Sequence, residues 1–204
     1  VDCKIICDYP IENSLNDNII RYDDKDLIDD GYTGITMDYH IKNPGGWEKA
    51  FYYLKDHQDY DYYYIMEDDV YAGNLNIFVK FFEKLEAYSA DLISIDIYSE
   101  DEDSGWPFWK NDFMFVQRYR SLNCLCRISK KLLLAILELR FKHGKFLFHE
   151  SLLAGACNEN GYSYIDMKRD PELSNFIGSF THREACKYSN FDICKINHSV
   201  KPKY

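Results

Sequence analysis

The sequence predicts a single α/β domain built on a mixed, mostly parallel sheet flanked by helices. Three consecutive segments carry that expectation. A dense β-forming run, Tyr60-Asp61-Tyr62-Tyr63-Tyr64-Ile65-Met66, ends in acids. An amphipathic helix follows over residues 74 to 88. A second strand, Asp91 to Tyr98, then alternates Ile93, Ile95 and Ile97 with Ser94 and Asp96. Strand, helix, strand in that order is the pattern of a parallel pair joined by a crossover. A length of 204 residues fits one such domain.

Taken in order, residues 3 to 9 read as a first strand closed by Pro10. The next thirty or so residues are rich in Asp and Asn, with a short strand around Gly34 to Tyr39. Asn43-Pro44-Gly45-Gly46 punctuates the chain, and a helix runs from Trp47 through Ala50, Phe51 and Leu54 to about His57. The run from Tyr60 to Met66 carries few charges and reads as a central strand buried on both faces. In the helix of residues 74 to 88, Leu75, Phe78, Phe82 and Leu85 share one face and Asn74 supplies the cap. A loop bearing Glu100-Asp101-Glu102-Asp103 and Trp106-Pro107-Phe108-Trp109 leads to a strand over residues 122 to 128. Ser129 caps a helix reaching about Lys142, and Gly144 ends it. Phe146-Leu147-Phe148 reads as a short strand with His149-Glu150 at its end, before a helix from Ser151 to Asn160 stopped by Gly161. Beyond Asp166 the pattern weakens, and residues 196–204 read as a tail. With no internal repeat or low-complexity linker, residues 1–204 form one domain.

Composition narrows the class. A hydrophobic content of 46% supports a substantial core, while no run of about 18 apolar residues exists to cross a membrane. The first residues, Val1-Asp2-Cys3-Lys4, lack the basic head and long apolar run of a signal peptide. Seven scattered cysteines without a Cys-x-x-Cys pair point neither to zinc nor to a disulfide framework, and we expect a reducing, cytoplasmic setting. A net charge of -10 argues against wrapping a nucleic acid. A diphosphate remains accessible to such a protein if a cation mediates the contact.

Three consecutive acids, Glu67-Asp68-Asp69, follow the strongest strand. In open α/β sheets ligands sit beyond the carboxyl ends of strands. Two like charges about 4 Å apart repel by roughly 4 kcal/mol at an effective dielectric near 20, so the cluster invites a cation. Carboxylate oxygens point to Mn2+ or Mg2+ rather than zinc, with open positions left for a diphosphate. The simpler reading is a solvated strand end, since residues 100 to 103 supply a second acidic run.

A tyrosine-rich strand ending in Glu67-Asp68-Asp69-Val70, preceded by a helix with Trp47-Glu48-Lys49-Ala50, resembles the glycosyltransferases of the GT-A, Rossmann-like fold. Within that family the overall look is close to the small transferase domains of large algal viruses, which build capsid glycans. The resemblance spans about residues 1 to 160 in element order. It implies a metal-dependent transfer of a hexose or deoxyhexose from a UDP-sugar to a hydroxyl of a glycan or glycoprotein acceptor. It also allows the domain to be one part of a longer multidomain chain.

Carried over by position, Asp69 and Asp68 are metal ligands, and Glu67 and Asp68 lie beside the nucleotide and its sugar. Asp8 and Tyr9, at the end of the first strand, meet the base. Trp47 and Lys49 are weaker nucleotide contacts, Trp47 serving equally as core. A C-terminal histidine completes the metal set: His182 is taken for it, with His198 the alternative. Residues 1–95 form the donor half and residues 96–195 the acceptor half. If configuration inverts, Glu150 at a helix start is the base, with Asp96 second. Glu150 serves equally as a cap of that helix, and a retaining reaction needs neither. Trp106 and Trp109 stack on the acceptor sugar or fold back into the core. The motif departs from the commoner Asp-x-Asp, which leaves open which carboxylate takes the metal. Two rivals stand beside this reading. One is a nucleotidyltransferase, disfavoured by Pro10-Ile11-Glu12-Asn13 where a glycine-rich basic loop belongs; the other is an inactive nucleotide- or carbohydrate-binding relative.

Overall fold

The computed structural model describes residues 3–7, 17–34, 44–109, 114–180 and 192–198. The elements are β1 (Ile5–Cys7), β2 (Ile19–Arg21), α1 (Asp24–Asp29), α2 (Gly46–Leu54), β3 (Tyr62–Met66), β4 (Tyr71–Ala72) and α3 (Leu75–Leu85). They continue with β5 (Leu92–Ser99), β6 (Tyr119–Ser129), α4 (Lys130–His143), α5 (His149–Glu159), β7 (Tyr164–Asp166), β8 (Ile177–Phe180) and β9 (Ile196–His198). The α/β class therefore holds. The mostly parallel sheet does not: among the described residues there are three small sheets, and the largest, ordered β3-β6-β5-β7, has two antiparallel pairings and one parallel pairing. The others are the parallel pair β1-β2 and the sheet β4-β9-β8.

The expected crossover between β3 and β5 is half right. Both strands run antiparallel to β6, so they are parallel to each other, yet β6 is inserted between them. The central strand is accordingly β6, whose residues from Ser121 to Ser129 are all buried, and not β3. In β3 only Tyr63 is buried, while Tyr64 and Met66 face water. The run of tyrosines is half-covered: the Tyr62 hydroxyl donates to Ser89 O (3.3 Å), the Tyr63 hydroxyl accepts from Tyr60 N–H (3.3 Å), and Tyr64 meets Phe82 edge-on at 5.2 Å.

Local chemistry sets the helices. Ser129 accepts a hydrogen bond from Leu132 N–H (3.1 Å) and starts α4; Gly144, at φ 71°, ends it in the left-handed conformation that only a residue without Cβ adopts cheaply. Asn74 caps α3 through Asn76 N–H (2.9 Å). The buried face of α3 is Phe81 and Leu85; Leu75, predicted inside, is exposed. Phe146-Leu147-Phe148 forms no strand beyond one bridge of Phe146 to Gly34, and α5 begins at His149, two residues earlier than expected. Residues 196 to 198, expected in a tail, are the fully buried strand β9.

The core forms two layers about the four-stranded sheet. α2, α4 and α5 pack Phe51, Leu132, Leu133, Leu152 and Leu153 on one side. α3 and the β4-β9-β8 sheet pack Phe81, Leu85, Ile177, Phe180 and Ile196 on the other. Ile95 belongs to the second layer and Ile97 to the first, although residues two apart in a strand share a face. Asp96, with φ 53°, lies between them at a register shift against β6 and turns the strand over. Among the described residues no helix is long and apolar enough to cross a membrane.

Candidate metal centre and its cavity

The acidic run sits where β3 leaves the large sheet and β4 enters the small one. Glu67 still pairs with β6 through its N–H to Cys124 O (2.9 Å), and Val70 N–H closes the turn on Glu67 O (3.3 Å). Two residues later, β4 pairs antiparallel with β9, Tyr71 opposite Asn197. That pairing delivers His198, the next residue of β9, to the acids. Asn197 fixes β9 from within: its amide donates to Asp192 O (3.0 Å) and Lys195 O (2.8 Å), and its Oδ1 accepts from Ser179 N–H (3.0 Å). A Cβ at Gly178 would lie 2.3 Å from that Oδ1, so the glycine is required for the close approach.

The result is a cluster of Glu67, Asp69 and His198 whose ligand atoms all lie within 4.8 Å of one another. His198 Nε2 is 3.2 Å from Glu67 Oε2 and 3.1 Å from Asp69 Oδ1. The other oxygen of Glu67 accepts from Trp47 Nε1–H (3.1 Å), and Trp47 stacks on His149 at 4.5 Å with planes 8° apart. Burial alone would raise the Glu67 pKa. The hydrogen bonds from His198 and Trp47, with the nearby imidazoles, outweigh it and hold the carboxyl below its ordinary value.

An imidazole Nε2 carries at most one hydrogen, and that hydrogen can serve only one of the two carboxylates. Asp69 Oδ1 is buried and has no hydrogen-bond partner, although the nitrogen is 3.1 Å away. A carboxylate oxygen facing a ring nitrogen without a proton between them is an unfavourable contact that a cation removes. The donor set therefore fits a divalent metal.

Beside the cluster lies a cavity of about 140 Å³ lined by Glu67, Leu122, Cys124, Phe148, His149, Glu150 and His198. Glu150 is in the first turn of α5 and 4% exposed. Burial pushes its carboxyl up to about 8, against a smaller lowering by Arg120 and a further rise from Glu67. A buried polar knot sets the start of α5: Asn123 donates to His149 O (2.8 Å), and its Oδ1 accepts from Ser94 (2.8 Å) and Ser121 (2.7 Å). Burial likewise raises the Cys124 thiol, so it stays protonated in the cavity wall.

The other sequence-predicted residues fall as follows. Asp68 is exposed and outside the cluster, its place taken by Glu67. Of the two histidines left open, His198 joins the cluster, while His182, like Asp8 and Tyr9, lies outside the described residues. Trp47 is buried and orients Glu67. Lys49 is buried as well and its ammonium meets Asp24 at 2.8 Å, an ion pair that ties α2 to α1. Asp96 is held by Lys168 at 2.7 Å. Trp109 is 4% exposed, with its Nε1–H on Asp103 O (2.7 Å), so it folds into the core; Trp106 is half-buried beside Phe148. Sequence periodicity gave no sign of His198 as a partner of the acids, because the link comes by strand pairing between segments far apart in sequence, His198 lying 131 residues beyond Glu67.

No family model, curated protein or solved structure matches the chain.

Proposed function

We propose that the chain is a metal-dependent glycosyltransferase of the GT-A kind, moving a hexose or deoxyhexose from a UDP-sugar to an acceptor hydroxyl, as in the assembly of viral capsid glycans. The observation that carries this is the triad Glu67, Asp69 and His198 with its orphaned Asp69 Oδ1, opening on a cavity that also holds Glu150. A cation there, once bound, would neutralise the charge growing on a departing diphosphate.

The chain's own groups do the rest. Trp47 N–H keeps one Glu67 oxygen occupied and so aims the other at the cluster. The knot of Ser94, Ser121 and Asn123 fixes the start of α5 and with it the Glu150 carboxyl. In an inverting transfer the acceptor oxygen bonds to the anomeric carbon as the bond to the diphosphate breaks. The diphosphate leaves with the electron pair, and the acceptor's proton passes to Glu150. A carboxylate held near 8 is a stronger base than an ordinary one, so turnover rises with pH until Glu150 is ionised. Cytoplasmic synthesis and a UDP donor belong to this same proposal.

The test is calorimetric titration of UDP into the protein with Mn2+ and with chelator, on wild type, Asp69→Ala and His198→Ala. Binding that requires metal and is lost in both variants is the expected result. Metal-independent binding, or none to any nucleoside diphosphate, would remove the reading and leave a hydrogen-bonded carboxylate–imidazole cluster.

A further inference from the structure

Next to the cavity runs a series of aromatic contacts that the donor side leaves unused. Phe148, in the cavity wall, lies 4.5 Å from His149. Trp106 lies nearly parallel to Phe148 at 6.3 Å, with planes 21° apart, and Phe108 approaches Phe148 at 5.6 Å. Trp109, buried and anchored on Asp103 O, meets Trp106 edge-on at 4.7 Å and serves as the footing. Trp106, Phe108 and Phe148 are only half-buried, so each keeps part of its ring in water.

At one edge of this ledge stands a planar charged pair. Arg120 lies 5.8 Å over the Trp106 ring, and its Nε–H donates to Asp103 Oδ2 at 2.7 Å. Arg120 also lies near enough to Glu150 to lower its pKa. Aromatic faces that are apolar but partly wet, bordered by donors and acceptors in fixed planes, match one kind of small molecule well. A pyranose ring offers an apolar C–H face and a rim of hydroxyls, each both donor and acceptor. A purely apolar ligand would leave Arg120 and Asp103 stripped of water without new partners. A polyanion is disfavoured by the net charge of -10.

We propose that Trp106, Phe108 and Phe148 form the acceptor subsite, on which a neutral pyranose rests its C–H face with its hydroxyl rim on Arg120 and Asp103 and one hydroxyl turned into the cavity toward Glu150. This rests on the transferase reading for its role, but the binding itself requires neither metal nor nucleotide. Trp109 is footing in this arrangement, not a contact.

Saturation-transfer NMR with methyl pyranosides of glucose, galactose, xylose and rhamnose, in chelator and without nucleotide, tests it directly. Wild type is expected to saturate the C–H face of at least one of them. Trp106→Ala and Phe108→Ala should each weaken that binding by about three- to tenfold, the range of a single aromatic contact. Phe141→Ala, which removes an exposed ring on α4, should leave it unchanged. Phe108→Ala keeps Trp106 and Trp109 in place and guards against a Trp106 variant that fails to fold. Binding of none of these glycosides, or equal binding by the Phe108 and Phe141 variants, would overturn the subsite. Metal-dependent UDP binding is measured separately, so loss of one result does not entail loss of the other.

Discussion

Replacing Glu150 by Gln isolates the energy stored in one buried carboxyl. Its pKa rises from 4.5 in the unfolded chain to about 8 in the fold, with burial as the first cause. A raised pKa in the folded state means that folding favours the protonated form. The contribution is fully present below about 4.5 and is lost as pH climbs through about 8. At about 1.36 kcal/mol per unit the loss has a ceiling of roughly 5 kcal/mol, and relaxation of the cavity with entry of water brings it to about 2–4 kcal/mol. Gln is nearly isosteric and cannot ionise. The stability difference, variant minus wild type, should therefore grow by about 2–4 kcal/mol between about pH 5 and about pH 9. Urea unfolding followed by tryptophan fluorescence reads it at each pH, and all other titrations cancel because both proteins share them. Parallel stability curves for the two proteins would refute the reasoning, since they would mean that Glu150 ionises at its ordinary value and is well solvated. In a donor–acceptor assay the same substitution should abolish turnover if Glu150 is the base, while leaving metal-dependent UDP binding intact.

Two further expectations concern the opposite end of the sheet. Burial would raise the Asp91 pKa, but Lys131, Ser129 and the Ser163 N–H and hydroxyl outweigh it and hold the carboxyl below its ordinary value. Its stabilisation is thus present above about 3.8 and lost as pH falls below it, so Asp91→Asn should cost about 1–3 kcal/mol at neutral pH and much less in acid, measured by urea unfolding at both. Arg127, 1% exposed, donates to the carbonyls of Leu85, Tyr88 and Ala90 and lies 4.1 Å over the Tyr62 ring. Arg127→Met should lower stability by roughly 2–4 kcal/mol through three orphaned carbonyls, seen as a lower urea midpoint, and a midpoint unchanged from wild type would contradict that role.

Helix ends were readable because their causes are local. Ser129, Gly144, Asn74 and Gly161 each act within a few residues; α4 begins and ends, and α3 begins, where those residues place them, while α3 stops at Leu85, three residues short of the expected end. The β5 strand was legible as a strand, but not the change of face at Asp96 that puts Ile95 and Ile97 in different layers or the burial of Ser94. What failed was everything decided by partners distant in sequence. β3 and β6 are both apolar runs, and only their pairing tells which is central; composition favoured the tyrosine-rich one, which lies at the side of the sheet. The strand β9 carries only Ile196-Asn197-His198, too short for any period, and its burial depends on a slot between β4 and β8. The candidate site follows the same division. Glu67 and Asp69 were legible as acids after a strand, whereas the exchange of Asp68 for Glu67 follows from the turn at Val70, and His198 enters by strand pairing.

The two ends of the large sheet are built on different terms. Where β5 begins and β6 ends, Asp91 has four donors, and Ser129 at once caps α4 and holds Asp91, while Arg127 Nε nearby is buried without a partner. At the end of β3, midway along β5 and at the start of α5, the chain instead keeps groups in states that raise its energy. Asp96 adopts a positive φ and turns the strand over, Asp69 Oδ1 is buried without a donor, and Glu150 is a carboxyl whose pKa burial raises. Each such feature costs of order 1–3 kcal/mol. Two of them, the orphaned oxygen of Asp69 in the cluster and the buried carboxyl of Glu150 in the adjoining cavity, fall together, which is a physical reason to look there for chemistry. The cluster joins two sheets. A cation held by Glu67 and His198 would tie the end of β3 to β9, so metal binding should stabilise the fold as well as the site, and added Mn2+ should raise the midpoint of thermal unfolding in wild type but not in His198→Ala.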